Sequence, residues 1–392
     1  MDDPDPYPLL ATSRRLDPVP KSSPIGLDPS PRYNITRWED VLTVLRDPET
    51  FSSSVCGLSL EPFTGWLLTA KDGAEHRQAR NAVAKAFRVA SIDRWEQQLM
   101  RPIIDELVDA VAARGRAELY SEVLSKYPVR VICGMYGVPL EDADEFHRWT
   151  EEITRGVHDP EPGFAASRAL LEYLQPIVDQ RRAAPGDDLL SDLLEAQREG
   201  GLSDEQLFGL LRLFLSAGTD TTELALGSML VGVLGDRAAY ERVVADPSLI
   251  PQVVEESLRW ESPAPRTERL ATRDVEVGGC PIPAGASMTV WLGSANRDET
   301  RFGDPDRLEL DRERGLHLAF STGPHQCLGM HLARRELQVG LEVLLERLPG
   351  LRLDPDAPAP SIEGALMRGP RALHVVWDPP APPAPDAASA CA

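Results

Sequence analysis

The chain contains the stretch Phe320-Ser-Thr-Gly323-Pro-His325-Gln-Cys327-Leu-Gly329, in which one cysteine lies between glycines. Glycine, serine and proline in such density are typical of a loop. Leucines then recur at helical spacing from Leu328 to Leu348. The pattern predicts that Cys327 lies at a loop-to-helix junction, where free N–H groups and the helix dipole stabilise a thiolate. A thiolate in that position is a good axial ligand for haem iron.

The residues around the cysteine agree with a haem site. Gly323 and Gly329 lack a Cβ, so a flat ring could lie close to the backbone, and His325 could reach an anionic edge of that ring. The run resembles the haem-binding signature of the cytochrome P-450 family, Phe-Gly-x-Gly-x-His/Arg-x-Cys-x-Gly, with Ser321 where the family usually has glycine. The competing interpretation is a buried free cysteine beside a helix cap. The number of matched positions favours the haem ligand.

Two further segments carry polar groups in helical patterns. His76 and Arg80 are four residues apart and share a helix face, which suits a pair of carboxylates but is also common on solvated helices. The apolar segment from Leu207 to about Leu234 is interrupted by Ala217-Gly218-Thr219-Asp220-Thr221-Thr222. Polar residues inside an apolar helix break the local rules and tend to mark function, although a kink satisfied by threonine back-bonding is the alternative.

The family resemblance assigns roles to these residues. It implies that Asp220 and Thr221 deliver protons to bound oxygen, and that His76, Arg80, Arg269 and His325 hold the haem propionates beside Cys327 and Gly329. It also implies a structural network. Glu256 and Arg259, at i and i+3, would be a weak surface pair by themselves, but their place in the chain matches the family's ExxR pair, which Arg312 completes.

The resemblance covers roughly residues 5 to 377 and implies a mainly α fold with a small β lobe, a triangular single domain with haem between two helices. We expect an irregular N-terminal arm over residues 1–30, the haem-thiolate monooxygenase domain over 31–377, and a disordered tail rich in proline and alanine over 378–392. Residues 52–70 are predicted to form an apolar-lined loop, which either covers a binding site or is a surface loop with its apolar side chains tucked in.

Composition limits the partners and the compartment. The formal net charge of −21 argues against nucleic acid and against an acidic membrane surface, and no apolar run is long enough to cross a bilayer. Five scattered cysteines without a CxxC pair predict a reduced, cytoplasmic protein, and no signal peptide opens the chain. Cys391 would be an exposed tail thiol without an assigned role.

The resemblance implies a monooxygenase that places one atom of O₂ in an organic substrate. Haem b would be the cofactor, and NAD(P)H would supply electrons through a ferredoxin and its reductase, docked near Arg334 and Arg335, with Arg77 a weaker candidate. An H₂O₂-driven peroxygenase and a non-catalytic haem-thiolate sensor or carrier are the alternatives. By family position, a mostly apolar set would line the substrate pocket: Leu58, Phe63, Trp66, Leu213, Ala217, Ala264, Thr267 and Leu366.

Overall fold

The protein is described by a computed structural model that covers residues 5–22, 32–156, 159–313 and 315–378. Within these ranges the chain is mainly helical. The helices are α1 Tyr7–Leu16, α2 Trp38–Arg46, α3 Gly57–Thr64, α4 Gly73–Ala84, α5 Val89–Trp95, α6 Arg101–Ala112, α7 Lys126–Met135, α8 Ala143–Arg155, α9 Pro160–Ala183, α10 Leu189–Arg198, α11 Asp204–Gly235, α12 Arg237–Ala245, α13 Ile250–Trp260, α14 Leu292–Ala295 and α15 Met330–Arg347.

Short strands form a smaller lobe. They are β1 Lys21–Ser22, β2 Arg32–Ile35, β3 Phe51–Ser52, β4 Arg116–Glu118, β5 Thr267–Ala271, β6 Val275–Val277, β7 Cys280–Ile282, β8 Ser287–Val290, β9 Arg352–Leu353 and β10 His374–Val376. Five of them make a sheet in the order β1-β2-β8-β5-β3, in which only β2 and β8 run parallel. A three-stranded sheet, β4-β10-β9, and the hairpin β6-β7 complete the strands of the described residues.

The long helix α11 passes through the helical core. Its N-terminus is fixed by a capping box, in which the Ser203 hydroxyl accepts from the Gln206 amide and the Gln206 side chain accepts from the Ser203 amide. Leucines such as Leu207, Leu210 and Leu226 are fully buried along it. A helix buried on most sides can be apolar over most of its circumference. The prediction of a mainly α fold with a small β lobe is confirmed.

The N-terminal region departs from the prediction of an irregular arm. Residues 7–16 form α1, and β1 pairs with β2. Tyr7 fixes α1 to the rest of the molecule, because its ring lies between the guanidinium groups of Arg297 and Arg368, whose carbons are 3.9 and 4.5 Å from the ring centroid. The expectation of irregular structure is therefore wrong for these two segments.

The predicted loop over residues 52–70 is also wrong in its main feature. Its centre is α3, flanked by short 3₁₀ turns at Ser54–Cys56 and Leu68–Ala70. The predicted tail, apart from Asp378, and Cys391 within it lie outside the described residues. No helix of the described ranges is both long and apolar enough to cross a membrane.

Candidate active site

Cys327 lies three residues before the start of α15 and lines a cavity of about 340 Å³. Its amide donates to the carbonyl of Phe320 at 2.9 Å, which closes the loop on itself. The side chain is exposed, and its free surface faces the cavity. The cysteine therefore stands at a loop-to-helix junction with its sulfur directed at an enclosed space.

The loop reaches this shape through unusual backbone angles. Ser321 has a φ of +57°, in the left-handed region that favours glycine, which is the residue that the P-450 signature has there. Gly323 has a φ of +75°, and a Cβ at this position would lie 2.5 Å from the Leu45 carbonyl oxygen. Gly323 thus permits contact with α2 and does not make room for a ring, contrary to our expectation. Gly329 does face open space, with no atom within 4 Å of its missing Cβ.

The protein's own groups act on the Cys327 thiol in opposite directions. Although the side chain has open surface toward the cavity, the protein atoms around it desolvate the thiol and raise its pKa, while the Gly329 amide and the charges of Arg80 and Arg334 lower it. Burial is the larger effect, so the helix start does not by itself produce a thiolate as we had expected. A bound metal ion would deprotonate the thiol outright.

Cationic side chains form one wall of the cavity. His76 and Arg80 on α4, and His325 from the cysteine loop, all line it. The two imidazole rings are 4.2 Å apart between centroids. Burial, together with the positive charges of His325 and Arg80, lowers the pKa of His76 to about 4. Of these basic groups, His76 is therefore the one that favours its neutral form.

Hydrogen bonds fix two of these groups. One Arg80 nitrogen, Nη2, donates to the Gln326 carbonyl at 2.6 Å. Nε2 of His325 lies 2.9 Å from Oδ1 of Asp72, a residue that sequence reasoning missed. Burial raises the pKa of Asp72, but the hydrogen bonds from His325, Ser52 and the Ser53 amide outweigh burial and lower it to about 2. His325 therefore already has one carboxylate partner.

Arg269 is a buried cation on β5. It donates to the Thr267 hydroxyl at 3.2 Å and to the Glu268 carbonyl at 2.6 Å. Among the described residues no carboxylate lies within ion-pair distance of it, and burial lowers its pKa. A buried guanidinium normally has an anionic partner, so Arg269 is suited to receive one from a ligand.

Helix α11 forms the opposite wall. Ala217, Gly218 and Thr221 face the cavity, and the Thr221 hydroxyl donates to the Ala217 carbonyl at 2.7 Å. The helix runs without a break through this segment, and the hydroxyls of Thr219 and Thr221 both donate to the carbonyl four residues back, which is the back-bonding that the alternative interpretation expected. Gly218 accommodates Ile132, whose Cδ1 would be 2.8 Å from a Cβ. Thr221 and Cys327 therefore line the same cavity.

Asp220 lies beside Thr221 but does not line the cavity. Its side chain is directed at α8, where Thr154 gives it a hydrogen bond. Burial, and then the negative charge of Glu151, raise the pKa of Asp220 to about 6. A carboxyl group with a pKa near neutrality can accept and release protons at physiological pH.

Half of the predicted substrate residues line the cavity. Leu213, Ala217, Ala264 and Thr267 do so. The other four do not: Leu58 and Leu366 are exposed, Phe63 packs on Phe164, and Trp66 is buried with its Nε1 donating to Glu75.

Two charged residues of the cavity lining, Arg266 and Glu336, were not predicted. Arg266 adds a cation, and its guanidinium carbon is 5.6 Å from the Trp291 ring centroid. Glu336 on α15 is buried, and burial raises its pKa well above the ordinary value. Arg266 lies between Ala264 and Thr267, two residues that were predicted to line the pocket, so its position in the sequence could have indicated it. Glu336 lies nine residues after Cys327, and nothing in a single sequence indicates that it would line the cavity.

The network of Glu256, Arg259 and Arg312 lies away from the cavity. Arg259 donates from two nitrogens to the two carboxylate oxygens of Glu256, each at 2.8 Å, and Arg312 donates to Oε1 of Glu256 at 3.0 Å. The remaining Arg259 hydrogen bonds go to backbone carbonyls. The pair is buried, so it is not the surface ion pair that i,i+3 spacing alone would suggest.

These residues fit haem b as the prosthetic group. The cavity lining holds Cys327, the basic side chains of His76, Arg80 and His325, and open space at Gly329. Arg269, which has no carboxylate partner among the described residues, lies on β5 and is not part of that lining. Soft thiolate and anion-binding cations are the donors that an iron porphyrin with two carboxylates requires.

Comparison with known proteins agrees with this geometry. The family described as Cytochrome P450 matches residues 164–375. Mycinamicin IV hydroxylase/epoxidase of Micromonospora griseorubida is 41% identical over 88% of this chain and 89% of its own length. Steroid C26-monooxygenase of Mycolicibacterium smegmatis is 33% identical over 92% of this chain and 91% of its own. The crystal structure of CYP109E1 from Bacillus megaterium in complex with testosterone superposes with a TM-score of 0.86 at 30% identity, covering 95% of this chain and 99% of the other.

Proposed function

Because the chain belongs to the cytochrome P450 family and is a haem-thiolate monooxygenase, we propose that it inserts one oxygen atom of O₂ into a largely hydrophobic small organic molecule. The observation that carries the proposal is the shared cavity, which both Cys327 and Thr221 line. The haem, when bound, supplies O₂ activation at an iron whose thiolate ligand favours O–O cleavage.

Each group of residues has a separate task in this proposal. Cys327 would hold the iron. His76, Arg80, Arg269 and His325 would hold the two propionates, with Arg269 gaining the anionic partner that it lacks inside the protein. Gly329 leaves space beside the ring. Glu256, Arg259 and Arg312 would maintain the fold beneath the site and touch no ligand.

Asp220 and Thr221 would move protons. O₂ cleavage consumes two protons in a cavity that otherwise excludes water. Thr221 presents its hydroxyl to that cavity, and Asp220 on the next helix position has a pKa of about 6, near enough to neutrality to exchange protons. Positioned groups of this kind act as general acids.

The cavity lining supports a mostly apolar substrate. Leu213, Ala217 and Ala264 present aliphatic surface, and Thr267 and Arg266 are the polar groups on the same side. Apolar walls with few polar groups favour hydrophobic ligands oriented by one or two specific contacts. The proposed substrate site does not include four residues that lie outside the cavity lining: Leu58, Phe63, Trp66 and Leu366.

The alternatives have less support. A peroxygenase has no need of a proton relay for O₂ cleavage, and a sensor or carrier has no need of an acid beside an alcohol. Asp220 and Thr221 together therefore favour the monooxygenase, with H₂O₂ as the oxidant to be tested directly.

For electrons we propose a ferredoxin and its reductase, docked on the face nearest Cys327. Arg334 and Arg335 are weaker candidates for this contact than we had expected, because Arg334 pairs with Glu255 at 2.6 Å and Arg335 with Asp93 and Glu96. Arg77 is exposed and has no ion pair within the described ranges, so it becomes the first candidate. The free cysteines of the described residues support a reduced, cytoplasmic location.

The proposal is tested with Thr221→Ala and a matched control, Thr219→Ala. Both hydroxyls bond to the carbonyl four residues back, but Thr219 is buried in the core away from the cavity. We expect Thr221→Ala to bind substrate and consume NAD(P)H while releasing much of the electron flow as H₂O₂, and Thr219→Ala to keep its coupling. Full coupling in Thr221→Ala, or equal product from H₂O₂ alone in the unmodified protein, would contradict the proposal.

A further inference from the structure

Helix α11 carries a second buried acidic residue, which does not line the cavity and has no role in the reaction described above. Glu223 follows Asp220 by three positions, so the two carboxyl groups share a face of the helix. Glu223 is 6% exposed, although glutamate is rarely buried without a partner.

One hydrogen bond holds Glu223 in place. The Tyr120 hydroxyl donates to Oε1 of Glu223 at 2.7 Å. The other oxygen, Oε2, is buried and has no hydrogen-bond partner in the described part of the chain. Burying a carboxylate with an unpaired oxygen costs more than burying the neutral carboxyl group, so this site favours the protonated form.

The charges around Glu223 come from three other elements. Glu151 and Arg155 lie on α8, Tyr120 lies on the short helical turn Tyr120–Leu124, and Arg371 lies before β10. Arg371 is exposed, and its charge acts on both Tyr120 and Glu223. Tyr120 and Arg371 therefore lie on the side of Glu223 that is nearer to solvent, and Asp220 precedes Glu223 by three positions on the same helix.

The protonation states follow from these surroundings. Burial raises the pKa of Glu223 to about 8, with the negative charges of Asp220 and Glu151 acting in the same direction and the Tyr120 hydrogen bond opposing them. Asp220, with a pKa of about 6, loses its proton first. At pH 7, Glu223 is thus protonated beside an ionised Asp220.

We propose that Glu223 is the proton store from which Asp220 is recharged. This inference rests on the proposed function, because it extends the relay of Asp220 and Thr221 by one group. Glu223 gives its proton to the Asp220 carboxylate and becomes a carboxylate itself. It then regains a proton from solvent, which reaches Glu223 from the side of the helix where Tyr120 and Arg371 lie.

The direction of transfer is compatible with the two acidities. A difference between pKa values of about 8 and about 6 disfavours the proton on Asp220 by roughly 100-fold. An equilibrium of this size supplies protons when the cavity consumes them and withholds them otherwise. Glu223 would therefore limit the supply without blocking it.

The first test measures protonation in the holoprotein, independently of turnover. Infrared difference spectra across a pH titration should show a carboxylic acid carbonyl band that is present at pH 7 and disappears with a midpoint near the pKa of about 8. Glu223→Gln should abolish this band, and Asp220→Asn should move its midpoint to lower pH by removing a neighbouring negative charge. Tyr120→Phe should move it to higher pH.

The second test measures turnover in the same variants. Glu223→Gln should slow product formation several-fold and increase its solvent isotope effect, with the spin-state shift on substrate binding unchanged. Glu205→Gln is the matched control, because Glu205 is an exposed glutamate in the first turn of the same helix.

The outcomes separate this inference from the proposed function. A band that survives in Glu223→Gln, or normal turnover in Glu223→Gln when Asp220→Asn is slow, overturns the inference alone. Normal turnover in Asp220→Asn overturns the relay itself, and the inference with it.

Discussion

Two buried groups of charges in this protein differ in how completely they are neutralised. In the network of Glu256, Arg259 and Arg312, the buried carboxylate accepts from both arginines, and the remaining donors of Arg259 reach backbone carbonyls. In the second group, Arg80 in the cavity wall and the buried Arg269 on β5 have only neutral acceptors among the described residues. The first group is complete within the chain, whereas the second is complete only with an anionic ligand.

This difference separates a structural role from a binding role. A buried charge that loses its only partner destabilises the fold. A buried charge that lacks an internal partner already bears that cost in the absence of ligand, and it contributes affinity when an anion arrives. Substitutions in the two groups should therefore affect different measurements.

The largest effect is expected for Glu256→Ala. Its removal leaves Arg259 buried without a carboxylate, at a cost of roughly 3–5 kcal/mol, so little folded holoprotein should accumulate. Glu309→Ala is the control, because Glu309 pairs with Arg312 at 3.0 Å near the surface and its amide would still be present; it should cost less than about 1 kcal/mol. Urea unfolding measures both, and equal stability of the two variants would show that the buried network is not structural.

A smaller effect, of a different kind, is expected for Arg269→Leu. Haem retention should fall by roughly 10- to 100-fold, the equivalent of about 1.5–3 kcal/mol for a charge-assisted hydrogen bond, while the apoprotein keeps its stability. Arg352→Leu is the control, since Arg352 is exposed and pairs with Asp378. Haem content after size-exclusion chromatography tests whether Arg269 binds a haem propionate. Equal haem content in both variants would count against that assignment.

The smallest effect is expected where the charges are exposed. Arg77→Glu should slow electron transfer from the ferredoxin and flatten its salt dependence, leaving substrate binding intact, because complementary surface charge acts mainly on encounter. Arg335→Glu should change the salt dependence less, since Asp93 and Glu96 already neutralise Arg335. Stopped-flow reduction at several salt concentrations compares the two, and a larger change in Arg335→Glu would restore our original prediction.

Sequence reasoning located the groups whose spacing along the chain is fixed. Cys327 before a helix and His76 with Arg80 on one face follow from local pattern, and the structure brings them to one cavity. Sequence reasoning could not predict how elements that are distant along the chain would be oriented relative to one another. Phe63 and Trp66 belong to a short segment that was expected to be a loop, and its helix α3 directs Phe63 against Phe164 of α9 instead of into the cavity.

Other misses have the same cause. Asp72 and Glu223 are acidic residues whose partners, His325 and Tyr120, are 253 and 103 positions away along the chain. Tyr7 and its two arginines are equally remote in sequence. Contacts between residues so far apart in sequence form only in the completed fold. The residue type at one position does not indicate which distant residue it will contact.

The central claim is that Cys327 is the axial thiolate of a bound haem, and the spectrum of the reduced, CO-bound protein tests it most directly. We predict the red-shifted Soret band that thiolate ligation gives, and its loss in Cys327→Ser, with Cys280→Ser as a control because Cys280 is a free cysteine in the strand lobe, on β7. The spectrum of a histidine-ligated haem in the unmodified protein, or a thiolate spectrum that persists in Cys327→Ser, would contradict the claim.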